Sequence, residues 1–382
     1  MPARFVLFFL ISLCLTLPLR AQEEVEVPAR FLVDTVCDEI DAAVSMALAR
    51  DGRVFVCEQT GAVRIVKNGA LLAEPFVRLA VDDFWERGVV GVALHPRFPE
   101  EPFVYVHYVR KTPFIHHTVS RFTARGDVAV PESELVIIEA EDQSLKVGQY
   151  PGAHQGGAMR FGADDRLYVT IGEHNVRDPA QSLESLHGKI LRFNPDGSIP
   201  EDNPFFQKAE GKHRAIYALG LRNPFGLAVD RASGRMFVND VGQELFEEID
   251  EVAAGANYGW PIAEGLMGNR PEFKKPLHIY GRKEGTCISG GVFYRAPEDA
   301  RSRFPAEFEG KYFFADFMAG WIRVLDPEKP ETSAPFAKRI PGPVDLAVES
   351  DGSLLVLVRN AWVHDDKLKR HSSSLVRIRA VR

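Results

Sequence analysis

Cysteine is scarce in this chain of 382 residues: Cys14, Cys37, Cys57 and Cys287 are the only four, and none has the spacing of a zinc site. Long apolar runs are equally few, because after the first 17 residues no segment reaches membrane-spanning length. Basic residues gather into no stripe, and Lys plus Arg number 46 against 53 Asp plus Glu, which argues against nucleic acid as a partner. No Gly-rich turn joins a strand to a helix, so a nicotinamide or nucleotide fingerprint is missing. No haem-attachment motif occurs, and no helical periodicity is long enough to matter. What remains is a globular composition, 45% hydrophobic and 26% charged, that has to be built from strands.

The chain opens MPARFVLFFLISLCLTLPLRAQEE. Arg4 precedes an apolar run from Phe5 to Leu17, and Pro18 to Ala21 offers a cleavage point after Ala21. The pattern predicts a signal peptide over 1–21 and one propeller domain over 22–382, periplasmic or secreted, with no integral membrane segment after cleavage. Without Arg4 and Arg20 the mature charge is about −9, against −7 for the full chain. Cys14 would leave with the signal, so the remaining three cysteines allow one bridge at most. Cys37 and Cys57 are near enough in sequence for a local staple, although sequence fixes no distance.

A phrase of short apolar strand, Asp- or Gly-bearing turn and second strand recurs from Met46, Gly91, Ala158, Gly226, Gly290 and Asp345. Six imperfect copies predict an all-β chain folded as a six-bladed β-propeller with long inter-strand loops. A sandwich is the alternative, but it gives no reason for one phrase to recur. Arg30 to Cys37 and Ser374 to Val381 stand outside the copies, and together they would close the ring. The rest reads as loops: Arg110 to His117, Glu139 to Ala153, Asn175 to Glu184, Pro195 to His213, Gly259 to Gly290 and His364 to Ser373. On a rigid ring such loops carry function.

The stretch from Gly152 to Asn175 places His154 before one strand and Glu173 after the next. An antiparallel hairpin would bring that imidazole and that acid to one mouth. Arg222 and Asn223, ahead of Pro224, offer several donors to a planar anion. The run from Asp240 to Glu251 holds six acids, which suits a solvated edge or, in an exported protein, a calcium ion.

ERGVVGVALHPRF, HQGGAMRFGADDRLYVTIGE, LHGKILRFNPDGSIPEDNPF, GLRNPFGLAVD, DVGQELFEEID and ANYGWP together resemble the glucose/sorbosone dehydrogenase family, over nearly the whole mature chain. That family includes quinoprotein sugar dehydrogenases and the Hedgehog-interacting proteins. The resemblance implies a propeller holding pyrroloquinoline quinone and Ca2+ over its central mouth. A sugar would be oxidised at its anomeric hydroxyl, and electrons would pass to an external acceptor. It implies His154 as general base, Glu173 as its supporting acid, and Arg222 with Asn223 gripping the quinone. Glu86 and Gln155 fall among cofactor contacts. Gly242 and Gln243 occupy the positions whose carbonyls hold the cofactor's calcium, and Glu248 with Tyr258 match a structural calcium site.

The departures are specific. Where soluble glucose dehydrogenases carry an Arg-x-Arg pair on the last blade, this chain reads Gly342-Pro343-Val344, and a cofactor-reaching lysine is replaced by Met318. Each lost charge-assisted contact weakens binding on the order of 1.5 to 3 kcal/mol. Arg282, Lys338 and Arg339 are the candidate replacements in nearby loops. The alternative reading is a catalytically silent propeller that binds carbohydrate or a protein partner. A calcium-dependent hydrolase fits less well, because the acids lie in one loop.

Overall fold

The computed structural model describes residues 25–145, 150–266, 270–360 and 371–381. The expected signal peptide therefore lies outside the described residues, as does most of the loop from His364 to Ser373. Six antiparallel sheets of four or five strands stand around a common axis. Their innermost strands are Ala43–Leu48, Val89–Leu94, Gly156–Phe161, Pro224–Val229, Ile288–Phe293 and Pro343–Val348, one for each of the expected copies. Each packs against the innermost strand of the next blade until the last meets the first. This is the six-bladed propeller, and among the described residues the only helices are three short 3-10 turns.

Blade 6 closes the ring. Its strands Pro343–Val348, Leu354–Arg359 and Ser373–Ala380 are completed by Phe31–Ile40 from the other end of the chain. The two termini pair antiparallel from Phe31 opposite Ala380 to Ile40 opposite Ser373. The serines at the seam then satisfy the next backbone groups, Ser372 Oγ accepting from Ala42 N at 3.1 Å and Ser373 Oγ from Ala43 N at 2.8 Å. Cys37 thus belongs to blade 6 and Cys57 to blade 1, and both thiols are free, so no local staple joins them.

The second strand of every blade is sandwiched between neighbouring blades, which explains why these strands are mostly apolar. Val54–Glu58, Leu167–Ile171, Tyr312–Asp316 and Leu354–Arg359 are buried at every position. The core divides accordingly into six clusters, one in each wedge between adjacent blades. Near the axis the strands approach so closely that side chains are excluded. A Cβ on Gly91 would lie 2.0 Å from the Gly157 carbonyl oxygen, and one on Gly290 would lie 2.4 Å from the Cα of Asp345. Asp345 ties the axis together, accepting from Met46 N at 2.9 Å and from Arg160 of blade 3 at 3.1 Å.

All six innermost strands break register within their first few residues, between Ala43 and Ser45 in blade 1 and at the corresponding place in the others. Such bulges bend a strand and widen the local twist. Repeated around the ring at one end, they flare the channel into a mouth.

Candidate active site

The mouth is lined by Ala43, Val44, Trp85, Glu86, Asn223, Phe225, Val241, Cys287, Ser289, Phe317, Val344 and Arg359, so it draws on all blades except the third. Blade 3 supplies the rim instead. His154 stands there just before Gly156–Phe161, and Glu173 two residues after Leu167–Ile171, as the hairpin reading requires. Gly156 lies opposite Ile171 in that pair, which carries the two side chains to the same end.

His154 Nδ1 is 2.5 Å from Glu173 Oε1, and its Nε2 is 2.8 Å from Arg222 Nη2. A guanidinium only donates, so Nε2 holds a lone pair and Nδ1 carries the proton given to Glu173. The His154 backbone is held at φ 56°, in a region that non-glycine residues rarely adopt. Two contacts fix it there: the His154 N–H donates to Glu86 Oε2 at 2.7 Å, and its carbonyl accepts from His174 N at 3.3 Å. Trp85, His174, Asn175 and Arg177 share positive φ in the same loops. Strain concentrated at one mouth is a mark of function.

Glu173 is fully buried and accepts a short hydrogen bond from Arg177 N on its second oxygen. Burial alone would raise its pKa, but the hydrogen bonds from His154 and the Arg177 N–H, with the nearby Arg222 charge, outweigh that and hold the carboxyl below its usual range. Arg222 also donates to the Val241 carbonyl at 2.8 Å and lies over the Trp260 ring, 5.5 Å from its centroid. Asp240 grips the backbone of both donor residues, Arg222 N at 2.9 Å and Asn223 N at 2.6 Å. Burial pushes Asp240 up to about 6 despite those two N–H donors. Asn223 Oδ1 in turn accepts from Gly156 N at 2.9 Å.

Gln155 does not line the mouth. Its amide is taken up by the Ala153 carbonyl, by His174 Nδ1 at 3.1 Å and by Gln143, so it supports the loop from behind and offers a cofactor no contact in this arrangement. Behind it runs a row of buried histidines that the sequence reading missed. His107 Nε2 meets His117 Nδ1 at 2.7 Å, and the rings continue through His174 to His187 at centroid separations of 4.9 and 4.2 Å.

Arg282 is committed to Glu247 in a short ion pair and stands 3.7 Å from Glu264. Lys338 ends the outermost strand of blade 5, Ser333–Lys338, where its backbone pairs with that of Glu26, and Arg339 is 4.0 Å from the Glu26 carboxylate. None of the three lines the mouth, and Met318 is exposed in a surface turn.

Beside the mouth a small polar cavity is lined by Gly220, Arg222, Asp240, Gly242, Glu248, Tyr258, Trp260, Ala263 and Glu264. Gly242, Glu248 and Tyr258 thus come together, whereas Gln243 is exposed outside. Burial and the neighbouring Asp240 carboxylate raise Glu248, and burial with Glu248 raises Asp250, neither of whose buried oxygens has a partner. Carboxylates crowded in this way suit a hard cation with oxygen ligands. Among the described residues no three His, Cys, Asp or Glu side chains form a metal cluster by themselves, so a calcium ion would also draw on backbone carbonyls.

With this geometry in place, comparison with known proteins decides the family. The profile described as Glucose / Sorbosone dehydrogenase matches residues 40–364. The chain belongs to the glucose/sorbosone dehydrogenase family. Within it, the chain is 29% identical over 309 residues to an aldose sugar dehydrogenase of Escherichia coli, covering 76% of this chain and 79% of that protein. It is 30% identical over 206 residues to quinoprotein glucose dehydrogenase B of Acinetobacter calcoaceticus, covering 47% and 41%. A Thermus thermophilus oxidoreductase described as a glucose dehydrogenase superposes with a TM-score of 0.77 at 27% identity, over 91% of this chain and 99% of that one. No helix among the described residues is long and apolar enough to cross a membrane.

Proposed function

We propose that this family member is an exported sugar dehydrogenase that oxidises the anomeric hydroxyl of an aldose with pyrroloquinoline quinone as cofactor, and with an external electron acceptor. The observation that carries the reading is His154, oriented at the rim of an aromatic-lined mouth by Glu173 on one nitrogen and Arg222 on the other. A purely structural propeller has no need to strain a histidine into that position. The relatives, an aldose sugar dehydrogenase and a quinoprotein glucose dehydrogenase, support the reaction class. The sequence of residues 1–21 supports export.

The residues present fit the cofactor. Trp85, Phe225 and Phe317 offer aromatic faces to a flat ring system, and Asn223 and Arg359 offer donors at its edge. When bound, the quinone supplies the hydride acceptor. The chain's own part is protonic and positional. His154 Nε2 takes the hydroxyl proton of the sugar, and Glu173 stabilises the imidazolium that results. Arg222, displaced from Nε2 by the substrate hydroxyl, is released to donate to developing negative charge on cofactor or sugar. Glu248 and the Tyr258 carbonyl would hold a structural calcium ion beside this assembly, and the backbone carbonyls of Gly242 and Gln243 would hold the calcium that accompanies the quinone.

The test is a titration of the purified protein with the quinone in calcium buffer, followed by the absorbance change on adding a panel of aldoses. Uptake with sugar-driven reduction, lost in His154→Ala, is expected. Absence of uptake at micromolar quinone would sink the reading and favour a propeller that serves as a binding surface.

A further inference from the structure

The mouth contains one buried cation that neither the repeat pattern nor the family motifs single out. Arg359 ends the second strand of blade 6, is 5% exposed, and lines the cavity among Trp85, Phe225, Phe317 and Val344. Of the described lining residues it is the only cation, and Glu86 is the only anion. Its Nη2 donates to Gln59 Oε1 at 2.6 Å, while Gln59 Nε2 donates to the carbonyls of Asp83, Trp85 and Arg87. Gln59 therefore aims the guanidinium and fixes the loop carrying Trp85 and Glu86 in one arrangement.

The neighbouring strand makes room for it. Gly342 stands at φ 64° and its carbonyl accepts from Arg359 N at 2.8 Å; a Cβ there would lie 2.2 Å from the Arg359 carbonyl oxygen and 2.7 Å from the Phe317 ring. Any side chain at 342 would push away both the arginine strand and an aromatic wall. Val344 adds an apolar lining without charge. A buried guanidinium at the edge of an aromatic slot recognises a flat ligand that bears a carboxylate on its rim, because its planar fork pairs with a planar anion. Glu86 cannot make the same contact, and its oxygen is already engaged by the His154 N–H. Burial lowers the Arg359 pKa to about 10, with Glu86 opposing the shift, so the group stays charged at neutral pH.

We propose that Arg359 is the cationic anchor for a carboxylate of the planar quinone, supplying from the second strand of blade 6 the charge that Gly342 and Val344, at the start of its first strand, do not. The assignment rests on the cofactor reading above. It predicts an interaction with the ligand's charge, whereas a mere counter-ion to Glu86 would affect all ligands of the slot alike.

The experiment compares wild type, Arg359→Gln and Arg359→Lys by quenching of intrinsic tryptophan fluorescence, with pyrroloquinoline quinone and with its uncharged trimethyl ester as probes. Arg359→Gln should weaken the tricarboxylate about 10- to 100-fold and leave the ester within about 3-fold. Arg359→Lys, which keeps the charge but loses the fork, should fall between and decides the matter if the glutamine variant does not fold. Equal losses for both probes, or no loss for the tricarboxylate, would overturn the assignment while leaving the cofactor reading intact. If wild type takes up neither probe, the cofactor reading itself falls and the anchor with it.

Discussion

The two oxygens of Glu173 are both acceptors, one facing the His154 Nδ1–H at 2.5 Å and the other facing the backbone N–H of Arg177. An amide can accept on one side only. In Glu173→Gln, either the new NH2 opposes the Arg177 N–H, or it opposes Nδ1 and forces the proton onto Nε2, where Arg222 already donates. The variant should therefore lose sugar-dependent quinone reduction by about 100-fold, with quinone affinity little changed. Steady-state turnover measured beside a binding titration checks this, and turnover within a few-fold of wild type would remove Glu173 from its supporting role.

Lys189 is fully buried and gives its ammonium to three carbonyls, Pro179 at 2.7 Å, Ala180 at 3.0 Å and His187 at 2.7 Å. These carbonyls belong to the loop that follows Glu173 and returns to the next strand of blade 3. Lys189→Met fills a similar volume but orphans all three, so a loss of about 3 kcal/mol or more is expected. Denaturant unfolding measures it. Stability unchanged within experimental error would mean that the loop is held by other contacts.

The six blades and the closing strands were legible because the second strand of each blade is covered on both faces and is mostly apolar, with polar residues chiefly at its ends. The outer strands were not. His278–Gly281 lies inside the stretch read as a loop from Gly259 to Gly290, and Ile216–Leu219 and Ser333–Lys338 belong to none of the recurring copies. Likewise His116–Arg125 begins inside the stretch read as a loop ending at His117. At the site, His154, Glu173, Arg222 and Asn223 stand out in sequence because each lies in a motif. Gln59 and Arg359 do not, since they are 300 residues apart and meet only when the ring closes. Asp240 was visible as one acid in a run, but its grip on the Arg222 and Asn223 backbone is a property of the paired strands.

The buried histidine row sets a pH dependence whose sign follows from linkage. Burial lowers His107 to about 3 and His187 to about 4, and it carries His117 and His174 well below the ordinary value. Between about pH 6.5 and 4 the unfolded chain binds protons at these positions and the folded chain does not. Their contribution to stability is thus complete above about 6.5 and falls with pH at roughly 1.4 kcal/mol per unit for each histidine. Asp240 and Glu247, raised to about 6 and about 7 by burial, act in the opposite sense over an overlapping range. The informative quantity is therefore a difference: His107→Gln should flatten the acid limb of the unfolding free energy by about one histidine's slope. Parallel curves for wild type and variant would contradict the burial of a neutral imidazole.

Calcium provides the last test, because the cavity holding Glu248 is destabilised by its own charges. Glu248 and Asp240 are both raised by burial, and Asp240 also raises Glu248 and Asp250. A divalent ion bound there would reverse that repulsion and stabilise the folded state by about 2.7 kcal/mol at a hundredfold excess over its dissociation constant. Adding calcium to protein treated with a chelator should raise the unfolding midpoint by several degrees, and magnesium should do less because the irregular carboxylate and carbonyl donors favour the larger ion. Glu248→Gln should abolish most of the increment while changing stability little without calcium, since burial and Asp240 already push the Glu248 carboxyl toward its neutral form. An undiminished calcium shift in that variant would place the ion elsewhere, and no shift in the wild-type protein would leave the carboxylates as a protonated structural cluster.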